Sequence, residues 1–160
     1  MDERQPRHQV VLRLGEFATT LASAQQTEVL AIGWRRTADD GFLRRQDLPT
    51  AFELEQAIMA VEDEIARVAL RGDASSPLVS DDTALVELAR LAGVGGALPL
   101  RVDVAAVENT FERLAQVAQG GPLVSSGLPD GEAGRAFAAR LLIVRELMHH
   151  LGFATLVVDG

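Results

Sequence analysis

Four arginines lie close together in the first third of the chain: Arg35, Arg36, Arg44 and Arg45. A guanidinium is planar, always charged, and carries its donors in a fork that matches carboxylate and phosphate oxygens. Between the two pairs stands Asp39-Asp40-Gly41. That run reads as a tight hairpin turn, because Asp and Gly tolerate positive φ. A two-residue loop at Asp40-Gly41 would set Arg36 opposite Arg45, and like charges directly opposed cost stability. An anion bound between them removes that cost. Asp39, Asp40 and Asp47 supply the competing reading, in which the segment neutralises itself.

A second constellation is Glu146-Leu147-Met148-His149-His150. Glu146 and His149 are three residues apart and share a helix face. A Glu-x-x-His pair ligates metal in carboxylate-bridged bundles, where two such motifs meet further glutamates. This chain has one motif, and its only other histidine is His8. A histidine in the last turn of a helix is also favoured by the helix dipole alone. The metal reading of Glu146 and His149 therefore stands behind a structural one.

The glycine stretches add little. Gly93-Val94-Gly95-Gly96 follows a helical pattern and lacks the strand–turn–helix setting of a phosphate loop. The run GGPLVSSGLPDG, 120–131, does lead into a helix start, where backbone N–H groups can hold an anion. Asp130 and Glu132 compete for that same end. No Gly-x-Ser-x-Gly elbow occurs, and Asp81-Asp82 reads as first-turn helix charge. The sequence thus predicts no catalytic residue and no cofactor.

The elements that must position these groups are mostly helical. Thr50 with Glu53 forms a capping-box pattern ahead of a stripe at Leu54, Ile58, Val61, Ile65 and Val68, with Gly72 as the stop. Asp63 and Arg67 stand one turn apart on this helix. Further helices are predicted from about Asp81 to Ala92, capped by Ser80 or Asp81, from Val104 to Gln119 behind an Asp103 cap, and from about Glu132 to Leu151. His8–Leu14 alternates as a half-buried strand. Glu28–Arg36 is apolar on both faces and reads as a central strand, with Phe42–Gln46 returning beside it. Residues 15–27 fit a short helix. Residues 73–79 read as a polar connection and 120–131 as a mobile loop. Ala97–Val102 is an edge strand or linker because of Pro99. Phe153–Val158 closes the chain beside Glu28–Arg36.

Four helices and three to five strands predict an α+β fold, with the helices on one face of a small mixed sheet. Residues 1–7 are expected to form a mobile tail and 8–160 a single domain. The chain of 160 residues has no cysteine, so disulfides and thiolate sites are excluded. A net charge of −8 argues against nucleic acid and anionic membranes as partners. The charged N-terminus and short aliphatic runs point to a cytoplasmic protein with no membrane span. The regular apolar stripes exceed the catalytic signals. They lead to the expectation of a non-catalytic protein acting through protein–protein contact, as a homodimer or accessory subunit, with a homo-oligomer or a protein partner implied. The alternative is a small-molecule enzyme or sensor that grips an anionic ligand through the arginine cluster.

Overall fold

Alternation of apolar and polar side chains builds the first strand, β1 (Val10–Leu14), in which Val10, Leu12 and Leu14 are buried and Arg13 is exposed. The computed structural model describes residues 9–42 and 48–160. After β1 come β2 (Thr19–Ala22), β3 (Thr27–Leu30), α1 (Trp34–Gly41) and α2 (Ala51–Ile65). They are followed by β4 (Leu78–Ser80), α3 (Thr83–Leu91), β5 (Leu100–Asp103), α4 (Val104–Ala118), α5 (Leu123–Ser126), α6 (Gly131–Leu151) and β6 (Thr155–Val158).

The six strands form one mixed sheet in the order β3-β2-β1-β4-β6-β5. β1, β2 and β3 are an antiparallel meander, β4 runs parallel to β1 and to β6, and β5 is antiparallel to β6. Register places Val10 beside Leu78, Leu78 beside Leu156, and Leu156 beside Val102, all buried. The opposite face exposes Arg13, Val29 and Arg101. The helices therefore pack on one face, and the α+β architecture expected from the sequence is the one observed.

α6 holds this layer together. Phe137, Leu141, Leu142, Ile143, Val144, Leu147, Met148 and Leu151 are all buried, so the helix is apolar around most of its circumference. Such a helix has to lie inside the layer rather than on it. α1, α2 and α4 pack around it. It ends at Gly152, whose φ of 82° is the left-handed stop glycine provides without a Cβ penalty. The stripes of α2 and α4 are likewise consumed by the core.

Helix caps follow the sequence closely. Thr50 accepts from the Glu53 N–H at 3.2 Å while Glu53 Oε1 accepts from the Thr50 N–H at 2.9 Å. Asp103 Oδ1 accepts from Ala106 N–H at 2.7 Å. The α3 cap is Asp82, not Ser80 or Asp81. Elsewhere the structure corrects the expectations. α2 stops at Ile65, short of Gly72, and Arg67 pairs with Glu64 at 3.3 Å rather than with Asp63. The strand expected over Glu28–Arg36 ends at Leu30 and is an edge strand. Residues 34–41 are helical, so the Asp40-Gly41 hairpin does not exist. Residues 15–27 hold a strand and a turn instead of a helix, and β4 replaces the last part of the polar connection. The closing strand lies between β4 and β5, far from β3. The 120–131 segment contains α5 and is tied down by Arg113. The tail 1–7, His8, and most of the Phe42–Gln46 strand fall outside the described residues.

Candidate functional site

In an open sheet, ligands bind beyond the carboxyl ends of the strands where the connections diverge to opposite sides. Here that point lies between β1 and β4. The chain leaves β1 toward β2 and β3, and leaves β4 through α3 toward β5 and β6. Gly15-Glu16 follows β1 and Asp81-Asp82 follows β4, so both runs border this crevice.

The β1–β2 turn is closed by a hydrogen bond from Gly15 N–H to the Ala18 carbonyl at 3.0 Å. Its carbonyls face the start of α1. Gly15 O accepts from Trp34 N–H, and Glu16 O accepts from the N–H groups of Arg35 and Arg36, each at 3.1 Å. Three orphan donors of α1 are thereby satisfied by main chain. Gly33 makes the approach possible, since a Cβ there would lie 2.2 Å from the Glu16 carbonyl oxygen. The α3 start is also filled, because Asp82 Oδ1 accepts from Ala84 N–H at 2.9 Å. An incoming anion would meet main-chain carbonyls at the start of α1 and the Asp82 carboxylate at the start of α3, so charge recognition at this edge falls to side chains.

Those side chains are arginines stacked on one indole. The Arg140 guanidinium, from α6, lies 4.0 Å from the Trp34 ring centroid, and that of Arg35 lies 5.1 Å from it. Arg35 Nη2 donates to Glu16 Oε1 at 2.9 Å. The Nε atoms of Arg35 and Arg140 are both buried without a hydrogen-bond partner among the described residues. Burial lowers the pKa of Arg140, while the nearby Asp82 and Glu87 carboxylates oppose that shift. The edge therefore presents two cations with unmet donors on Trp34, and acidic groups beside them.

Arg36 goes elsewhere. Its Nε lies 3.8 Å from Asp40 one turn along α1, and both line a cavity of about 380 Å³ between α1 and α2 with Gly33, Ala57 and Glu64. Of the sequence-predicted quartet, Arg35 and Arg36 thus start one helix but diverge. Arg44 and Arg45 lie outside the described residues. Arg140 and Trp34 were missed. Their only sequence signal was a single indole next to Arg35 and an arginine inside the apolar stretch Phe137–Val144.

The second predicted site is placed differently too. His149 is exposed, with its ring edge-on to His150 at 5.1 Å. Glu146 instead meets His150, one full turn away, with Oε2 3.0 Å from Nε2. Glu62 Oε1 of α2 lies 3.1 Å from the same nitrogen. Glu146 is only 2 % exposed, and burial raises its pKa against the opposing pull of Arg145. The i, i+4 spacing was available in the sequence, but the part played by Glu62 depends on how α2 docks on α6.

No protein-family model and no curated protein sequence matches the chain. Its fold does match solved structures. The Ppx/GppA enzyme of Aquifex aeolicus superposes with a TM-score of 0.70 at 18 % identity, covering 96 % of this chain and 53 % of that one. The type II variant of the Aquifex aeolicus Ppx/GppA phosphatase gives 0.68 at 17 %, covering 98 % and 55 %. An exopolyphosphatase from Cytophaga hutchinsonii gives 0.68 at 8 %, covering 98 % and 54 %. The chain therefore spans about half the length of the structures it matches. These likenesses correct the expectation of a non-catalytic protein working through protein–protein contact. The apolar stripes on which it rested are buried within the fold, and the architecture is one used by phosphatases.

Proposed function

We propose that this chain supplies a phosphate-gripping half of a phosphatase acting on phosphoanhydrides, with inorganic polyphosphate as the substrate class. The observation that carries the reading is the pair Arg35 and Arg140 on Trp34, with both Nε atoms buried and unpaired at the crevice between β1 and β4. The shared fold of the exopolyphosphatase structures supports it. Phosphoryl transfer needs little covalent help from protein; positioning and charge stabilisation carry most of it. Two guanidinium groups fit that need, because their forks bind phosphate oxygens in pairs. Glu16 holds Arg35 in place and must share it with the incoming anion. Asp82 and Glu87 keep the edge from binding every anion in solution.

Calorimetric titration with inorganic polyphosphate, together with an assay of phosphate release, tests this. Saturable binding is expected, with release slowed about 10²–10³-fold in Arg140→Ala if the group stabilises the transferring phosphoryl. Binding without release assigns the gripping role alone to this chain. A protein that does neither contradicts the reading.

A cytoplasmic location and a protein partner or second copy, both expected from the sequence, remain part of this proposal. No helix among the described residues is long and apolar enough to cross a membrane. Native mass measurement on the purified protein settles the assembly.

A further inference from the structure

We propose that Glu62, Glu146 and His150 form a divalent-cation site of the zinc class that braces α2 against α6. The site lies at the amino edge of the sheet, since the C-terminus of α6 turns through Gly152 directly into the start of β6. It is therefore at the opposite end of the domain from Trp34 and Arg140, and it stands independently of the phosphatase reading.

Lone pairs from three side chains converge here. His150 Nε2 lies 3.0 Å from Glu146 Oε2 and 3.1 Å from Glu62 Oε1, and the three ligand atoms all fall within 4.8 Å of one another. One ring nitrogen carries at most one proton, so it cannot give a full hydrogen bond to both carboxylates. The residues come from two helices: Glu146 and His150 share a face of α6, and Glu62 faces them from α2. A cation with bonds of about 2.0–2.2 Å keeps tetrahedral ligands roughly 3.4 Å apart. The two edges that meet at His150 Nε2, 3.0 and 3.1 Å, need to open by only a few tenths of an ångström to accept one, and the edge between the two carboxylates is within 4.8 Å.

The surroundings fit. The other Glu146 oxygen accepts from Arg145 Nη1 at 2.7 Å, and Arg145 Nε donates to Glu108 Oε1 at 3.0 Å. That contact fixes the carboxylate with Oε2 toward His150, as an outer partner of a metal ligand does. Arg145 is shared between Glu108 and Glu146, and with Glu62 this leaves surplus negative charge at the cluster. The Glu62 and His150 side chains are 42 % and 38 % exposed, so an ion can reach the cluster from solvent and take a fourth ligand from it. One imidazole with two carboxylates is a donor set that borderline divalent ions accept.

The test is titration of the metal-free protein with Zn²⁺ by calorimetry, and with Co²⁺ by visible absorption. One ion per chain is expected, with a rise in melting temperature and a Co²⁺ spectrum of imidazole and carboxylate ligation. His150→Ala and Glu62→Gln, both at partly exposed positions, should each weaken Zn²⁺ at least about tenfold. His149→Ala should leave the affinity unchanged. Binding that survives both His150→Ala and Glu62→Gln, that is lost equally in His149→Ala, or that shows only weak multiple sites overturns the proposal. The trio is then a charged histidine bridging two carboxylates. No phosphate compound enters these measurements, so their failure leaves the reading of the other edge untouched.

Discussion

Glu16 pairs with Arg35 while Arg140 shares the Trp34 ring with it, so single substitutions at the two positions should move anion binding in opposite directions. Glu16 occupies Arg35 Nη2 at 2.9 Å, so it competes with any anion for that fork. Glu16→Gln should tighten polyphosphate binding by about threefold to tenfold, roughly 0.7–1.4 kcal/mol. Equal or weaker binding in that variant would show that Glu16 orients Arg35 rather than competing for it. Asp73 is a second residue whose state can be read. Its carboxylate accepts from the Ser75 hydroxyl and N–H, both at 2.7 Å, and from the Ser76 hydroxyl at 3.0 Å. These bonds, led by the Ser75 hydroxyl, hold its pKa below the usual aspartate value. A depressed acid contributes stability above its unfolded pKa and loses it as pH falls through the folded one. The Ser75 amide resonance should therefore follow an acid that titrates below the usual aspartate range, and the titration should vanish in Asp73→Asn.

At the scale of elements, the approach of α1 to the β1–β2 turn is the feature on which the candidate site depends. Gly33→Ala places a Cβ against the Glu16 main-chain carbonyl, which has little freedom to move. A loss of about 1–3 kcal/mol in chemical denaturation is expected, with Trp34 displaced from Arg140. α5 depends similarly on Arg113, whose Nη2 and Nε reach the Ser126 carbonyl at 2.7 and 3.2 Å and whose Nη1 reaches Leu91 O at 2.7 Å. Arg113→Ala should cost about 1.5–3 kcal/mol and open 120–131 to limited proteolysis. Helix starts were legible in the sequence because a cap is local: Thr50 with Glu53, and Asp103, each act within one turn. The end of α2 was not, because Gly72 serves a different neighbour. Its N–H bonds the Leu151 carbonyl at 2.7 Å and its Cα lies against the Phe153 ring. The first residues of α1 were read as the end of a strand, and Asp39-Asp40-Gly41 as a turn, because Leu30, Ile32 and Trp34 carry a two-residue period that a strand end and a partly buried helix start satisfy equally.

For the molecule as a whole, the α+β architecture could be read from element counts, while strand order could not. Sheet pairing joins β1 to β4 and β4 to β6 across long intervals of sequence, and nothing local encodes that choice. The candidate site inherits the same difficulty. Trp34 and Arg140 are brought together by the docking of α1 on α6, so only Arg35, next to the indole in sequence, was visible beforehand. Whether this edge grips phosphate anions can be read from Trp34, the one tryptophan in the chain. The most direct measurement is Trp34 emission during titration with inorganic polyphosphate, in the parent and in Arg140→Ala. A saturable change is expected, with a midpoint at least about tenfold higher in Arg140→Ala, a loss of roughly 1.4 kcal/mol. No saturable change, or the same midpoint in both proteins, would contradict it.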